Sequence, residues 1–512
     1  MESEIVLQLN NISKQFGSLL ANDHISLDLR RGEVLALLGE NGAGKTTLMN
    51  ILFGHYAADT GTIAVFGKPL KTSSPRAAIN AGIGMVHQHF TLADNLSVLD
   101  NIILGTEPLW QPWQNRRSAR RRLLSLANNF GLVVNPDAKV GELSVGERQR
   151  VEILKALYRN VKILILDEPT AVLTPPETEA LFTTLHKLTE AGLSVVFISH
   201  KLQEVMAVSD RVIVLRAGKQ VADVNTAATN HSELAELMVG QPLPKTMRAP
   251  LTSGEPVLEL ETVTVQSPDK RNLIAAVDLS IHQYEIVGIA GVSGNGQAAL
   301  FDLVSGLAFP SQGSMRLYGQ DIHKPSPLAM VKAGVARIPE DRHTTGLIPD
   351  LSIWENLILE THQEAAFSQA GFLKLDAANR HAVALIEAFD VRCPSPTAIV
   401  RLLSGGNMQK LILGRVLSRN PKLIVASQPT RGLDLGAVTY VHQQLLNARD
   451  RGAGILLISE DLEELLSLSD RLHVLYKGRL SPSIPAENFS VQEIGLMMAG
   501  KGEIRRGENE GN

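Results

Sequence analysis

The feature that most constrains this chain is the stretch 39–46, which reads G-x-x-x-x-G-K-T. A strand-like apolar run over residues 34–38 precedes it, and a helix-like run over residues 47–53 follows it. In this context the glycines let backbone N–H groups surround phosphates, while Lys45 reaches the β and γ oxygens and the Thr46 hydroxyl binds Mg²⁺. The helix N-terminus adds a favourable dipole. Motif and context agree, so the sequence predicts a phosphate-binding loop in an α/β fold.

Several strand-like runs in the first half end on polar side chains. One buried-looking run ends on Asp167 and Glu168, another on His200, and a shorter one on Gln88. Parallel strands of α/β folds place ligands outside their carboxyl ends, so these side chains are candidates for the same site. A carboxylate pair that only caps a neighbouring helix is the weaker interpretation of Asp167 and Glu168, because a phosphate loop precedes them.

Composition excludes several classes of protein. A chain of 512 residues predicts more than one domain. The net charge of −4 gives no overall basic field for nucleic acid. The single cysteine, Cys393, cannot form an internal disulfide, which fits a reducing compartment. No apolar run approaches the length of a membrane span, and the N-terminus lacks signal-peptide features. Any role at a membrane is therefore expected to be peripheral.

The second half repeats the order of the first. Landmarks near the phosphate loop recur after 252 residues and later landmarks after 260, so eight extra residues fall in the helical region between them. We predict domains at 1–240 and 257–500, a linker at 241–256 that is rich in Pro, Thr and Ser, and a disordered tail at 501–512. The repeat pairs Lys45 with Gln297, Gln88 with Glu340, Ser144 with Ser404, Asp167 with Ser427 and His200 with Glu460.

Taken together, these motifs resemble the ATP-binding cassette (ABC) proteins, over nearly the whole chain and twice. The matching segments are a Walker A loop at 39–46, a Q-loop at Gln88, signature motifs at 143–149 and 403–409, a Walker B pair at Asp167 and Glu168, and a switch histidine at His200. The resemblance implies an α/β fold of tandem duplicated P-loop NTPase cassettes. Each would have a RecA-like parallel-sheet core, an antiparallel β subdomain and a helical subdomain.

The resemblance also implies roles for individual residues, with ATP and Mg²⁺ as cofactors. The two cassettes would close head-to-tail, so that the signature of one covers ATP on the Walker A loop of the other. The implied catalytic residues are Glu168, His200, Lys45 and Gln88, and the implied metal ligands are Thr46, Gln88 and Asp167. ATP would contact Phe16, Gly39, Glu40, Asn41, Gly42, Ala43, Gly44, Lys45, Thr46 and Thr47 in the first half, and Ser404, Gly405, Gly406 and Asp434 in the second. For Phe16, the residues alone leave adenine stacking and core packing evenly balanced.

The second half lacks the residue types that this chemistry needs. The replacements are Gln297 for lysine, Ala298 for the hydroxyl, Ser427 and Gln428 for the acids, Glu340 for the Q-loop glutamine, Glu460 for histidine and Pro268 at the adenine-stacking position. In the D-loop, the first half has Thr174 where the second keeps Asp434. We therefore predict one complete composite site, one degenerate site and asymmetric hydrolysis. The sequence leaves open whether the degenerate site binds nucleotide.

Two fused cassettes without membrane spans resemble the ATPase subunits of bacterial importers for monosaccharides and nucleosides. Residues 426–434 favour the nucleoside branch, and a ribose- or galactose-type importer is the alternative. The resemblance implies membrane permease partners, an extracytoplasmic binding protein that acts indirectly, no nucleic acid, and a place at the cytoplasmic face of the inner membrane. The main rival is a soluble tandem cassette protein acting on ribosomes, which usually keeps two working sites. A purely regulatory nucleotide sensor is a further rival, disfavoured by the complete first-half set.

Overall fold

The computed structural model describes residues 4–70, 74–87, 90–106, 116–170, 173, 175–240, 252–323, 325–485, 488, 491–498 and 500. The chain forms two compact units, Met1–Leu243 and Pro244–Asn512. Most of the predicted linker and the predicted tail at 501–512 lie outside the described residues. Gln88 and Thr174 also lie outside them.

The first unit contains two sheets. Its strands are β1 (Ile5–Phe16), β2 (Leu19–Arg30), β3 (Val34–Gly39), β4 (Thr60–Val65), β5 (Lys68–Pro69), β6 (Ile83–Val86), β7 (Ile163–Asp167), β8 (Ser194–Ser199), β9 (Arg211–Arg216) and β10 (Lys219–Asn225). An antiparallel sheet has the order β2-β1-β4-β5. The larger sheet has the order β10-β9-β3-β8-β7-β6 and is parallel except for β10.

Helices cover this larger sheet and form a separate helical layer. They are α1 (Lys45–Phe53), α2 (Pro75–Asn80), α3 (Val98–Ile103), α4 (Arg116–Phe130), α5 (Val145–Tyr158), α6 (Pro175–Glu190), α7 (Leu202–Val208) and α8 (His231–Val239). Strands β3, β7 and β8 are buried along their whole length. This is why they read as continuous apolar runs without alternation. Their carboxyl ends carry the predicted site residues.

The second unit repeats this architecture. Its strands are β11 (Pro256–Gln266), β12 (Asn272–His282), β13 (Ile286–Ala290), β14 (Gln312–Leu317), β15 (Gln320–Asp321), β16 (Val335–Ile338), β17 (Ser368–Gln369), β18 (Phe372–Leu373), β19 (Leu423–Ser427), β20 (Gly454–Ser459), β21 (Arg471–Tyr476), β22 (Arg479–Leu480) and β23 (Ile484–Pro485). Its helices are α9 (Gln297–Val304), α10 (Pro327–Lys332), α11 (Ile353–Ile358), α12 (Leu375–Ala388), α13 (Gly405–Leu417), α14 (Leu435–Asp450), α15 (Leu462–Leu468) and α16 (Val491–Met498). The sheets have the orders β12-β11-β14-β15 and β16-β19-β20-β13-β21-β22, which follow the strand order of the first unit, and β23 pairs with β21 as a seventh strand of the larger sheet.

The extra residues of the second unit lie in two places. Three lie between β16 and α11, in the segment that contains a π-helical turn at Arg342–Gly346. Five lie between α11 and the short 3₁₀ turn Val400–Leu402, where β17 and β18 form a small hairpin. Both insertions lie in the helical part of the unit, because the strands and the phosphate-loop helix tolerate no change of register.

The predicted fold class is confirmed, and one local expectation needs correction. The residue pattern over 91–159 predicts helix with interruptions at Trp110, Pro112 and Trp113, and these three residues lie outside the described ones. The structure instead has the separate helices α3, α4 and α5, with a 3₁₀ turn at Val140–Glu142 before the last. In the part of the chain that the structure describes, no helix is both long and apolar enough to cross a bilayer.

Candidate functional site: two phosphate loops

The loop of the first unit leaves the carboxyl end of β3 and enters α1. Gly42 and Gly44 have φ angles of 84° and 98°, in the left-handed region that favours glycine. A Cβ atom on Gly44 would lie 2.3 Å from the backbone oxygen of Ala21, so no larger residue fits there. The Asn22 side chain donates a 3.0 Å hydrogen bond to the Gly44 carbonyl and ties the loop to β2.

Lys45, the first residue of α1, lies under this loop. Its side chain is buried, and its Nζ donates to the carbonyls of Gly39 at 2.6 Å and Glu40 at 3.0 Å. Burial lowers the pKa of this ammonium, while the nearby carboxylates, Glu168 first and then Asp167, oppose the shift. A desolvated positive charge therefore lies at the centre of the loop.

The two acids at the carboxyl end of β7 lie in different environments although they are adjacent. Burial, and then the neighbouring Glu168 charge, raise the pKa of Asp167 to about 6. Glu168 has a φ of 47°, and its backbone N–H donates to Ile198 at 3.0 Å. A 2.9 Å contact between its Oε1 and Nδ1 of His200 lowers the pKa of Glu168. Glu168 therefore stays ionised, with its orientation set by a histidine from the end of β8.

A buried carboxylate fastens the segments that carry these residues. Oε2 of Glu204, on α7, accepts hydrogen bonds from the hydroxyls of Thr170 at 2.5 Å and Ser199 at 3.0 Å. The Ser199 hydroxyl in turn accepts from the Lys201 amide at 3.0 Å. This hydroxyl–carboxylate bracket joins the turn after Glu168 to the residues on either side of His200.

The second unit keeps the backbone shape of the site but lacks the lysine, the two acids and the histidine of the first. Gly294 and Gly296 have φ angles of 90° and 115°, so the loop keeps its backbone shape. Gln428 has a φ of 48° and donates its N–H to Ile458 at 2.8 Å, as Glu168 does to Ile198. Glu464 repeats the hydroxyl–carboxylate bracket with Thr430 at 2.8 Å and Ser459 at 2.6 Å. The fold thus holds two loops of one shape, and the first has a lysine, two acids and a histidine around it.

Comparison with known proteins decides the family. The family described as ABC transporter matches residues 22–171 and 274–431. The chain belongs to the ABC transporter family. It is an ATPase of that family, and each unit is one ABC cassette.

Full-length ABC relatives match nearly the whole chain. The nucleoside import ATP-binding protein NupA of Lactococcus lactis is 43% identical and covers 98% of this chain and 99% of its own. The guanosine import ATP-binding protein NupO of Bacillus subtilis is 44% identical and covers 99% of this chain and all of its own. The glucose import ATP-binding protein TsgD13 of Haloferax volcanii is also 44% identical, covering 98% of this chain and 97% of its own.

The two predicted signature motifs begin helices in contrasting ways. In the first cassette, Ser144 and Glu147 form a capping box at the start of α5, with the Ser144 amide and hydroxyl each 2.9 Å from Oε2 of Glu147. These bonds lower the pKa of Glu147, which therefore remains ionised. In the second cassette, Ser404 makes no such backbone cap in the described structure, and its Oγ accepts from Asn407 at 2.9 Å.

A second acid adds to this contrast. A Cβ atom on Gly146 would lie 2.4 Å from Oε1 of Glu177, so this carboxylate lies against the first signature. A Cβ atom on Gly406 would meet only Ala437 and Asp434, at 3.5 and 3.9 Å. The first signature is therefore acidic and internally bonded. The second signature has no acid of its own, although the Asp434 carboxylate and the Arg342 guanidinium lie close to its glycines.

The remaining predicted residues have mixed surroundings. Phe16 is 41% exposed, with its ring 5.5 Å from Tyr56 in an edge contact, so it is not a core residue. Thr46 is exposed and Thr47 half-buried on the first turn of α1. Asp434 caps α14 by accepting from the Ala437 amide at 2.7 Å. Oxygen donors such as Thr46 and Asp167 are the kind that Mg²⁺ prefers, and it usually takes few protein ligands beside substrate phosphates.

Sequence reasoning missed three contributors to the sites. Glu147 follows Ser144 at the spacing of a capping box, so the S-x-x-E pattern could have revealed it. Glu204 and Asn22 contact their partners across 34 and 22 residues, and no local pattern indicates these contacts.

Proposed function

We propose that this chain is the ATP-hydrolysing subunit of an importer for a nucleoside or simple sugar. It would act with membrane permeases at the cytoplasmic face of the membrane, supplied by an extracytoplasmic binding protein. The observation that supports it best is the first loop, where Lys45, Asp167, Glu168 and His200 converge. Relatives named for nucleoside and guanosine import favour a nucleoside, while the glucose-import relative keeps a simple sugar as the alternative.

The residues of the first cassette would divide the work of hydrolysis. Lys45 and the loop amides would neutralise phosphate charge, and Glu168 would orient the attacking water, while His200 holds that carboxylate and contacts the γ-phosphate. Phe16 would stack on adenine, and residues 39–47 would surround the phosphates. Bound Mg²⁺ would supply charge neutralisation of the phosphates. Thr46, Asp167 and Gln88 would hold it.

The second cassette would complete this site with its signature. We infer that Ser404, Gly405, Gly406 and Asp434 close over nucleotide on the first loop. The contrast between the signatures supports this pairing, because a helix N-terminus that already faces Glu147 and Glu177 is a poor place for a γ-phosphate. Near the helix start at Ser404 the nearby acid is Asp434, which already accepts a hydrogen bond from the Ala437 amide, and Nη1 of Arg342 lies 3.4 Å from the Gly405 carbonyl.

Paired loop variants test this function. Lys45→Ala should abolish ATP hydrolysis and solute uptake in cells, because the first loop would lose its only ammonium. Gln297→Ala, the matched control in the second loop, should retain most of both activities. Comparable losses in the two variants, or failure of the chain to co-purify with membrane permeases, would contradict the proposal.

Competition in uptake assays separates the two cargo classes. Cells that depend on this chain should take up a labelled nucleoside, and unlabelled nucleosides should compete better than glucose. Competition by glucose alone would favour the sugar importer. Co-sedimentation with ribosomes without any effect on uptake would favour the soluble rival class.

A further inference from the structure

The second phosphate loop is bonded to side chains of its own unit. Oε1 of Glu460 accepts a 2.6 Å hydrogen bond from the backbone N–H of Ser293. Ser293 lies in the loop at the position that Asn41 has in the first unit. A carboxylate oxygen thus occupies a loop amide of the type that binds phosphate oxygen in P-loops.

Gln297 occupies a second part of the same loop. Its Oε1 accepts from the Asn295 amide at 3.1 Å, and its Nε2 donates to the Val292 carbonyl at 2.8 Å. In the first unit, Lys45 donates to the corresponding carbonyl of Glu40, so the glutamine replaces that bond. Unlike lysine, glutamine also supplies an acceptor, and it can therefore satisfy a loop N–H by itself.

The change from histidine to glutamate redirects the side chain at the end of the strand. In the first unit, His200 contacts Glu168. In the second, the Glu460 backbone N–H faces Oε1 of Gln428 at 3.4 Å, and its carboxylate reaches the loop. The loop thus has a negative charge at its mouth and a neutral amide where the lysine would be. An incoming phosphate would meet like charge and two loop amides that already have partners.

We propose that Glu460, together with Gln297, is an internal ligand that holds the second loop in its phosphate-binding shape and excludes nucleoside triphosphate. This inference deepens the proposed function, because it assigns the degenerate cassette a nucleotide-free role. The loop stays folded because its amides bond to the chain itself, and ATP is not needed to order it.

Counting bound ATP tests the proposal. In full-length chain carrying Glu168→Gln to prevent turnover, equilibrium dialysis with labelled ATP and Mg²⁺ should give one equivalent per chain. Gln297→Lys added to this background should still give one, because the carboxylate remains in the loop. Gln297→Lys with Glu460→Gln should bind a second equivalent, at least tenfold more tightly than Gln297→Lys alone.

A charge-matched control and a stability measurement accompany the count. Glu387→Gln removes an exposed carboxylate from α12 and should leave the stoichiometry at one. Without nucleotide, the double variant should unfold at lower temperature than the Gln297→Lys chain, and ATP should raise its midpoint. Should Glu460→Gln misfold, Glu460→His supplies the residue found at the matching position of the first unit.

Two outcomes would overturn the inference. One is a second equivalent of ATP in the background chain, and the other is equal second-site affinity with and without Glu460. Either result would leave the proposed importer function untouched, because that proposal is tested separately by the Lys45→Ala variant and by the uptake assays. Loss of the first equivalent would instead contradict the role of the first loop.

Discussion

At the scale of single residues, the chain contains its own comparison of an acid and its neutral analogue. Glu168 and Gln428 share a left-handed backbone, with φ angles of 47° and 48°, and the same backbone bond to the next strand. The fold therefore accepts glutamine at this position without a change of shape. The difference between them is chemical, because only the carboxylate can accept a proton from water.

Replacement of Glu168 should separate ATP binding from hydrolysis. Glu168→Gln should lower turnover by about 100-fold to 10,000-fold, as expected when a general base is removed, while ATP binding persists. Turnover in steady state and nucleotide bound at equilibrium measure the two effects. Gln428→Glu is the matched control and should leave turnover near its natural value. Normal hydrolysis by Glu168→Gln would remove this residue from its proposed role.

At the scale of elements, helices α5 and α13 occupy matching places in the two units and have similar lengths, but their first turns are stabilised differently. The start of α5 is stabilised by its own capping box, whereas the Ser404 hydroxyl at the start of α13 is bonded to a side chain. Capping bonds contribute to helix stability, while a hydroxyl without a cap is available for another purpose. The two serines should therefore respond in opposite ways to the same substitution.

Serine-to-alanine variants at the two helix starts should separate an effect on stability from an effect on hydrolysis. Ser144→Ala should lower the free energy of unfolding of the first unit by about 1 kcal/mol, as for other lost N-caps, with little effect on hydrolysis. Ser404→Ala should lower the free energy of unfolding by less than Ser144→Ala does, but it should remove most of the ATP hydrolysis. Urea unfolding and ATPase assays on both variants provide the measurements. A loss of turnover that follows Ser144 instead would reverse the proposed pairing of signature and loop.

These elements also show what the sequence could and could not predict. The phosphate loop, the buried strands and the duplicated strand order are encoded in short motifs and continuous apolar runs, and the sequence predicted them. The helical region was predicted less well, because Ser97 and Ser144 cap separate helices inside one stretch of helical composition. The bond from Ser293 to Glu460 spans 167 residues, so only the folded sheet brings the two together.

At the scale of the whole molecule, the two units differ in a buried titratable group. His473 lies in β21, where the matching residue of β9 is Ile213. Its Nδ1 is 2.8 Å from the Ser481 carbonyl and its Nε2 is 3.3 Å from Nη1 of Arg471. Burial lowers the pKa of this histidine to about 4. The hydrogen bond to the Ser481 carbonyl opposes the shift, the Arg471 charge adds to it, and the Glu285 carboxylate opposes it more weakly.

The second unit should accordingly lose stability in acid. A histidine whose folded pKa lies below its unfolded value contributes fully above about pH 6.5, and this contribution falls as the pH drops towards 4. The loss is at most roughly 3 kcal/mol in the free energy of unfolding. His473→Gln should reduce this pH dependence in urea titrations at pH 7.5 and 5. An identical dependence in the variant would show that His473 titrates normally.

The bracket around Glu464 has a consequence for protein engineering. Thr430, Ser459 and Glu464 still clamp the strand ends of a cassette that has lost its acids and its ammonium. Because this hydroxyl–carboxylate bracket and the glycine turns are intact, the missing ammonium and acids could be restored by side-chain substitutions alone, without redesign of the backbone. A chain with two complete sites could then be compared directly with the natural chain, for which we propose one.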